Sequence, residues 1–172
     1  MTLSFPSNFI LIAAYNPCPC GFYGDKTNRC NCTTTQIQRY NNKLSGPLLD
    51  RMDMHLEVAA LPFKEMSSND KTESSANIRK RVNNARNIQK KRYKDAIECR
   101  NNSMMNSQMI DKFCIIDDES KSLLEKGVRR LGLSARAYHR ILKISRTIAD
   151  MEGSDNICKN HIAEAIQYRR EG

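Results

Sequence analysis

Four cysteines near the start of the sequence have the clearest capacity for chemistry. Cys18 and Cys20 form one Cys-x-Cys pair, and Cys30 and Cys32 form a second pair, with nine residues between the two pairs. Four thiolates at this spacing can converge in a folded-back loop and complete the tetrahedral coordination of Zn²⁺, which leaves no position for a substrate. We therefore predict a closed, structural zinc site. The alternative is a set of reduced cysteines without metal, or a loop prone to oxidation.

The remaining cysteines and the apolar pattern indicate a reducing compartment. The chain has seven cysteines and no basic-then-apolar signal pattern at its start, which favours thiols or bound metal over a disulfide framework. Cys99, Cys114 and Cys158 stand apart and are predicted to be small buried residues. The longest apolar run, residues 9–15, is far shorter than the roughly 20 residues of a membrane span. We expect a cytoplasmic protein without a membrane segment.

Asn16 follows a short apolar segment, residues 8–15, which is typical of a strand buried on both faces of a parallel sheet. A polar side chain that follows such a strand lies at the carboxyl edge, where open α/β folds bind their ligands. There, the Asn16 amide could orient a water molecule on a phosphate. The alternative is an ordinary Asn-Pro turn at the end of a strand.

Two arginines could act on phosphate groups. Arg51 lies between two carboxylates, so it is either a surface ion pair or a cation that reaches a neighbouring subunit's nucleotide. Arg136 follows Ser134, a predicted helix N-cap, and this position beside the positive end of the helix dipole disfavours a cation. Arg136 could share an anion with the free backbone amides. Pairing with an acidic side chain is an equally simple explanation.

The formal charge of +9 is concentrated in one segment. Residues 76–100 contain nine Lys or Arg and two carboxylates, so this segment alone carries a net charge of +7. Such a block suits nucleic acid or an acidic partner, but the solvated face of a helix is an equally common reason for it.

Only one other segment has a strand pattern. Residues 53–60 alternate apolar and polar side chains, as in a half-exposed strand. Two strands cannot bury the 8–15 segment on both faces, because an isolated pair of strands is marginal in water. We therefore expect the rest of the sheet to come from elsewhere, so that this chain is a fragment of a larger domain or has an obligate partner chain.

The rest of the sequence predicts helices and one linker. Residues 33–43 have helical character, and a short turn of helix is predicted at 49–51. The Ser-rich segment 62–75 is predicted to be a polar linker. Beyond the linker, apolar residues recur every three or four positions. The predicted helices there are 76–98, a short helix reaching Cys114, 117–131 closed by Gly132, one capped by Ser134 and closed by Gly153, and 159–170.

Several motifs together resemble the magnesium-chelatase-like AAA+ ATPases of the ComM type. The segment at 9–21, with its Asn-Pro-Cys-Pro-Cys-Gly motif, resembles the family's sensor strand and cysteine motif. Residues 38–40 and 44–53 are similar to the next block. Residues 132–142, with Arg-Thr-Ile-Ala-Asp at 146–150, resemble the helical lid, and residues 161–169 the closing helix.

The resemblance implies a fold and a set of roles. The fold would be the α/β remnant of an AAA+ core, with the last strands of a parallel sheet and a cysteine loop at 18–32, over residues 1–61. A linker at 62–75 and an all-α helical lid domain at 76–172 would follow. By similarity, Asn16 would be the sensor-1 residue, Arg51 the arginine finger acting in trans, and Arg136 the sensor-2 arginine at the ATP phosphates.

The resemblance also implies a motor that this chain does not complete alone. Such proteins are implied to form hexameric rings, to hydrolyse ATP with Mg²⁺ and to act on DNA, including branch migration during natural transformation. The sequence contains no G-x-x-x-x-G-K-[ST] loop and no acidic pair at a strand end to hold Mg²⁺. Hydrolysis by this polypeptide alone is therefore not expected. The alternative function is a free-standing zinc and nucleic-acid binding module without ATPase activity.

Overall fold

The computed structural model describes residue 3 and residues 9–24, 29–59, 73–96 and 98–169. The chain divides into two compact units, Met1–Gly46 and Pro47–Gly172. Within the described residues every regular element is a helix.

The first unit has one helix among its described residues. Helix α1 spans Thr34–Asn41. The Thr33 hydroxyl accepts a hydrogen bond from the Gln36 backbone N–H at 3.3 Å, and the Gln36 side chain accepts one from the Thr33 N–H at 2.9 Å. This reciprocal capping box satisfies two of the free amides at the start of the helix, and it explains why the Thr-rich segment begins a helix here, as the sequence predicted.

The two predicted strands are not observed in the described residues. Residues 9–16 and 54–59 have no regular secondary structure. Phe9 and Ile12 are 76 % and 86 % exposed, and Val58 is 90 % exposed, so neither apolar segment is buried. The strand part of the predicted α/β fold is therefore not supported. An apolar run becomes a buried strand only where neighbouring strands supply hydrogen bonds and cover both faces, and the described residues provide no such neighbours.

The second unit is a helical bundle, and its helices beyond residue 75 agree with the helical domain predicted over 76–172. Helix α2 leads into it at Gly46–Arg51. The later helices are α3 (Ser75–Arg92), a short 3₁₀ helix (Asn102–Met104), α4 (Ser107–Phe113), α5 (Asp118–Leu131), α6 (Ala135–Glu152) and α7 (Lys159–Gln167). Helix α6 is central, because it packs against α3, α4, α7 and the 3₁₀ helix, and α5 packs against α7.

The predicted helix ends are confirmed for α5 and α6. The Asp117 carboxylate accepts a hydrogen bond from the Ser120 N–H at 2.7 Å at the start of α5. The Ser134 hydroxyl accepts one from the Ala137 N–H at 3.2 Å at the start of α6. Gly132 and Gly153 end these helices with φ of 60° and 73°, in the left-handed region that glycine occupies without steric cost.

The core lies where α5, α6 and α7 meet. Leu124, Ile141 and Ile162 are fully buried there. A β-carbon at Gly127 would lie 2.8 Å from the Cδ1 atom of Ile166, so glycine allows α5 and α7 to approach closely. Burial of side chains of this size contributes about 1.5–3 kcal/mol each.

A buried polar network ties α3 and the 3₁₀ helix to α6. The Arg92 guanidinium donates to both carboxylate oxygens of Asp150, at 2.7 and 2.5 Å. Asn102 donates to Asp150 at 2.8 Å and accepts from the Tyr93 hydroxyl at 2.7 Å. Arg146, one turn before Asp150, donates to the same carboxylate at 3.1 Å. Every charge in this network therefore has a partner, which a buried charge requires.

Two predictions from the sequence were wrong in detail. Helix α3 ends at Arg92 rather than near residue 98, because the chain turns after Tyr93 so that both Tyr93 and Cys99 enter the core. Cys99 and Cys114 are buried as predicted, whereas Cys158 is exposed at the start of α7. The His161 ring Nδ1 accepts a hydrogen bond from the Cys158 N–H at 2.9 Å and stabilises that start instead.

Most of the predicted linker at 62–75 lies outside the described residues, as do Ala60 in the predicted second strand and Arg170 at the end of the last predicted helix. In the described residues, no helix combines the length and the apolar character needed to cross a membrane.

Candidate functional site

The four cysteines of the sequence motif come together in the first unit. The Sγ atoms of Cys18, Cys20, Cys30 and Cys32 all lie within 4.8 Å of one another. Cys18 Sγ is 3.3 Å from Cys20 Sγ and 3.8 Å from Cys30 Sγ, and Cys20 Sγ is 3.6 Å from Cys30 Sγ. The second cysteine pair therefore folds back onto the first, as the spacing predicted.

These separations fit a tetrahedral metal site better than a disulfide. Zinc–sulfur bonds of about 2.3 Å place the corners of a tetrahedron about 3.8 Å apart, close to the sulfur–sulfur separations of 3.3, 3.8 and 3.6 Å. A disulfide needs about 2.05 Å, and all four thiols are free. The cluster could therefore hold one metal ion if its sulfur atoms shift by about 1 Å or less.

The backbone of the loop is shaped around the sulfurs. Gly21 N–H donates to the Cys18 carbonyl at 3.0 Å, closing a tight turn between the first cysteine pair and the rest of the loop. Gly21 has φ of 82°, a conformation that a larger residue would adopt only with strain. Cys18 is fully buried, whereas Cys20 is exposed. The cluster thus has one buried corner and a more open side.

The electrostatics of the cluster favour a bound cation. The Phe22 backbone N–H beside the Cys20 sulfur lowers the pKa of that thiol to about 6. For Cys32, the Cys20 backbone N–H favours the thiolate, but the neighbouring sulfurs of Cys20 and Cys18 outweigh it and raise the pKa to about 12. The first thiolate forms easily and the last is opposed by its neighbours. A bound divalent cation offsets the electrostatic repulsion between the thiolates, so that all four sulfurs can be deprotonated.

Asn16 lies beside the cysteine loop rather than at the end of a strand. A β-carbon at Gly21 would be 3.8 Å from Cγ and Nδ2 of Asn16, so the amide packs against the turn that carries Cys18 and Cys20. The Asn16 side chain is exposed. Its sensor-1 role stays a prediction, since the described residues include no sheet edge to place it on.

Arg51 is the last residue of α2, in the second unit. Its Nη1 atom donates to the Pro47 carbonyl at 3.0 Å, four residues back in the same helix. The residue is otherwise exposed. The side chain therefore folds along its own short helix, and among the described residues one exposed hydrogen bond holds it there, which it would break to reach another molecule.

Arg136 lies in the first turn of α6, where Ser134 caps the helix as predicted. Its Nη1 atom is 3.9 Å from the Asp50 carboxylate and its side chain is 57 % exposed. The Ser134 hydroxyl donates to the same carboxylate at 3.0 Å. The acidic pairing that the sequence left open is thus present, and the anion at the start of α6 is Asp50.

Asp50 and its neighbours are held by two further arginines. Arg169 Nη2 lies 3.5 Å from the Asp50 carboxylate, and its Nη1 donates to the Met52 carbonyl. Arg140 Nη1 donates to the Asp50 carbonyl at 2.6 Å, and its Nε lies 2.9 Å from the Asp53 carboxylate. We call the segment 50–53 with Arg136, Arg140 and Arg169 the aspartate clasp.

The sequence did not predict the aspartate clasp, although it did indicate that the carboxylates of segment 50–53 form ion pairs. Asp50 and Asp53 flank Arg51 and suggested a local ion pair. The structure pairs them instead with Arg136, Arg140 and Arg169, which lie more than eighty residues away. No periodicity links positions so far apart. The result is that Arg136 meets the carboxylate of Asp50, the residue before Arg51, so both arginines belong to one compact unit.

An open cleft of about 450 Å³ borders Arg136. Its walls carry the side chains of Met105, Asn106, Ser107, Ile110, Arg136, His139, Arg140 and Lys143. Lys143 donates to the Ser103 carbonyl at 2.9 Å. Three of the lining side chains are permanent or near-permanent cations, so the cleft suits an anionic group better than an apolar one.

The helical bundle and the cysteine loop together define a magnesium-chelatase-type chain. The family described as Magnesium chelatase, subunit ChlI C-terminal, matches residues 72–169, and the family described as Magnesium chelatase, subunit ChlI, matches residues 1–66. The chain belongs to the magnesium chelatase subunit ChlI family.

Several individual proteins are similar to this chain over nearly its whole length. The chain is 45 % identical over 97 % of its length to Competence protein ComM of Haemophilus influenzae. It is 42 % identical, again over 97 % of its length, to an uncharacterized protein called YifB in Salmonella typhimurium. A Mycobacterium tuberculosis protein, also uncharacterized, is 30 % identical over 98 % of the chain. The chain corresponds to only 32 %, 32 % and 33 % of these relatives' lengths, respectively.

Proposed function

We propose that this chain is the C-terminal portion of a ComM-type AAA+ ATPase, a hexameric, ATP-driven DNA motor that carries out branch migration or unwinding in natural transformation. The observation that carries the proposal is that Arg136, in the first turn of α6, lies 3.9 Å from the carboxylate of Asp50, the residue before Arg51, within one unit. The similarity to Competence protein ComM supports the family assignment. The proposed organisation is an AAA+ core portion over 1–61, a linker over 62–75 and a lid over 76–172, acting in the cytoplasm.

Each arginine has a proposed role in ATP hydrolysis. Arg136 would contact a nucleotide phosphate beside the amides of α6, a position where the helix dipole also favours an anion. Arg51 would reach a neighbouring subunit's nucleotide and stabilise the charge that develops on the transferred phosphoryl group. Asn16 would orient the attacking water. The phosphate-binding loop and the Mg²⁺ ligands would come from the part of the protein that corresponds to the remaining length of the relatives.

The test belongs in the complete ATPase, with steady-state hydrolysis and ring assembly measured together. Arg51→Ala is expected to lower turnover on the order of 10³-fold or more, as loss of an arginine finger does, while assembly is retained. Arg136→Ala should lower turnover and raise the KM for ATP. Arg130→Ala, an exposed arginine of α5, is the matched control and should leave both unchanged. Normal turnover in Arg51→Ala would reject the finger role.

We further propose that the cysteine cluster binds one structural Zn²⁺. Its four sulfurs and near-tetrahedral separations support this, and a closed set of four thiolates has no open position for catalysis. Metal analysis of protein purified without chelator should give one zinc per chain. A Cys30→Ser variant should contain none, whereas Cys158→Ser, which removes an exposed thiol outside the cluster, should keep its zinc. Metal-free wild-type protein with unchanged melting would rule the site out.

A second candidate function is a zinc and nucleic-acid binding module that does not hydrolyse ATP. The observation that favours it is that the basic helix α3 is largely exposed. The two functions predict different results for the complete protein. Hydrolysis that depends on Arg51 supports the motor, whereas salt-sensitive nucleic-acid binding without any hydrolysis supports the module.

A further inference from the structure

Helix α3 has two sharply different faces. From Arg79 onward, at 100° per residue, one arc of about 160° contains only cationic and amide side chains. The opposite side carries the buried Ala85 and Gln89, which pack on the bundle. The residues of the polar arc are Arg79, Lys80, Asn83, Asn84, Arg86, Asn87, Lys90 and Lys91. We call this surface the basic face of α3.

The basic face is exposed, and its cations have no ion-pair partner among the described residues. All eight side chains are exposed, and the helix itself contains no Asp or Glu. In the described part of the chain, the α3 arginines that form ion pairs are Arg81, with Glu73, and Arg92, with Asp150. Both lie outside the basic face. Its five cations therefore meet solvent without a counter-charge from the described residues.

We infer that the basic face of α3 binds the sugar-phosphate backbone of duplex nucleic acid. This inference deepens the second candidate function and needs no ATPase activity. Arg79 and Lys91 are twelve residues apart, about 18 Å along a helix, so the face can meet several phosphates of one duplex. Lysine and arginine supply the charge, and asparagine amides are common additional donors to phosphate oxygens.

The composition of the face selects a duplex over a single strand. Single-strand binding surfaces stack bases on aromatic side chains, and each stacked base contributes about 1–3 kcal/mol. Helix α3 contains no aromatic residue, and Tyr93, which follows it, is buried in the core. A rigid row of cations without stacking platforms matches the regular phosphate spacing of a duplex. We expect little sequence preference, because backbone contacts carry no base information.

The test measures binding of a fluorescent DNA duplex to the 172-residue chain by anisotropy across a salt series. Five phosphate contacts predict a slope of about −4.5 in a plot of log K against log salt. Affinity should then fall on the order of 10²–10³-fold between about 50 and 200 mM salt. The single strand of the same length should bind more weakly.

The variant Lys80→Gln/Arg86→Gln/Lys91→Gln removes three of the cations, and glutamine keeps the helix propensity close to that of lysine and arginine. The slope should become shallower by about three. The control Lys121→Gln/Lys126→Gln/Arg130→Gln makes the same charge change on exposed positions of α5 and should keep the wild-type slope. A Lys80→Arg/Lys91→Arg variant keeps the charge and should also bind normally. Helicity measured by circular dichroism confirms that each variant folds.

Three results would overturn the inference, and they are distinguishable. Equal loss of slope in the α3 and α5 variants would show that overall charge, not this face, binds the duplex, and the second candidate function would survive. Absence of salt-sensitive duplex binding by the wild type would reject both this inference and the second candidate function. The ATPase proposal is tested separately, by the Arg51→Ala variant. Competition by a polyglutamate peptide equal to that by unlabelled duplex would assign the face to an acidic protein partner.

Discussion

The two compact units differ in what stabilises them. In the first unit, Cys18 is the one buried residue among those that the structure describes, so the cysteine cluster takes the place of a hydrophobic core. In the second unit, the core around Leu124, Ile141 and Ile162 is supplemented by the buried network of Asp150. Small regions that cannot bury enough apolar surface depend on metals or cross-links. We therefore expect the stability of the first unit to depend on bound metal and the stability of the second unit to depend on side-chain packing.

The largest expected effect is that of metal removal. A structural zinc site contributes about 10–16 kcal/mol of binding free energy at pH 7, which is more than a region without a core can replace. A chelator should therefore abolish hydrogen-exchange protection around residues 16–32 while the amides of α6 keep theirs. Cys18→Ser should have the same local effect. Loss of protection in α6 as well would show that the two units are not energetically independent.

The next largest effect should come from Asp150→Asn in the second unit. The substitution preserves shape but leaves Arg92 and Arg146 without their shared carboxylate, and breaking a buried charge pair costs about 3–5 kcal/mol. Urea unfolding should show this loss. Asp111→Asn, on an exposed position of α4, is the matched control and should change the free energy of unfolding by less than about 0.5 kcal/mol. Zinc content should be the same in both variants.

The same network predicts how stability depends on pH. Burial disfavours the Asp150 carboxylate, but hydrogen bonds from Arg92 and Asn102 outweigh burial and lower its pKa. A lowered folded-state pKa contributes stability that is present above the unfolded value of about 3.9 and is lost as pH falls through the folded value. The difference between wild type and Asp150→Asn should therefore shrink below about pH 4. A constant difference down to pH 2 would contradict this.

A smaller effect is expected from Asp50→Asn. The change weakens the clasp contacts to Arg169 and Arg136, and one third of the Asp50 side chain is exposed. Hydrogen bonds to charged groups contribute about 1.5–3 kcal/mol when buried, so about 1–2 kcal/mol is expected here. Asp53→Asn removes a single contact to Arg140 from a side chain that is 66 % exposed. Asp53→Asn should lower the free energy of unfolding by less than Asp50→Asn does. A larger loss for Asp53→Asn would contradict the conclusion that Asp50 holds the clasp together.

The smallest effects should come from helix caps. Ser134→Ala removes the cap of α6 and a hydrogen bond to Asp50, at a cost of about 1 kcal/mol, and unfolding should report it. Ser74→Ala removes the cap of α3, but no residue from 73 to 84 is buried. It should raise hydrogen exchange only in the first turns of α3. A global effect of Ser74→Ala would show that this part of α3 is packed.

The sequence determined the features that depend on near neighbours. The ends of α5 and α6 could be predicted from their capping residues, because caps act within one helical turn. These residues are Asp117 and Gly132 for α5, and Ser134 and Gly153 for α6. The paired Cys-x-Cys spacing predicted a convergent cluster, because both pairs lie in one short loop. Apolar residues that recur every three or four positions predicted the helices beyond the linker. The motif resemblance also predicted the family, which the comparisons confirmed.

Only the tertiary structure decided the contacts between distant residues. The apolar segment at 9–15 has a strand pattern, yet a strand depends on partners that its own residues do not encode, and the described residues supply none. The pairing of Asp50 with Arg136 and Arg169, and of Asp150 with Arg92, joins positions that no local pattern relates. Which carboxylate meets which arginine is settled by how the helices pack, because an ion pair needs only proximity and burial in space.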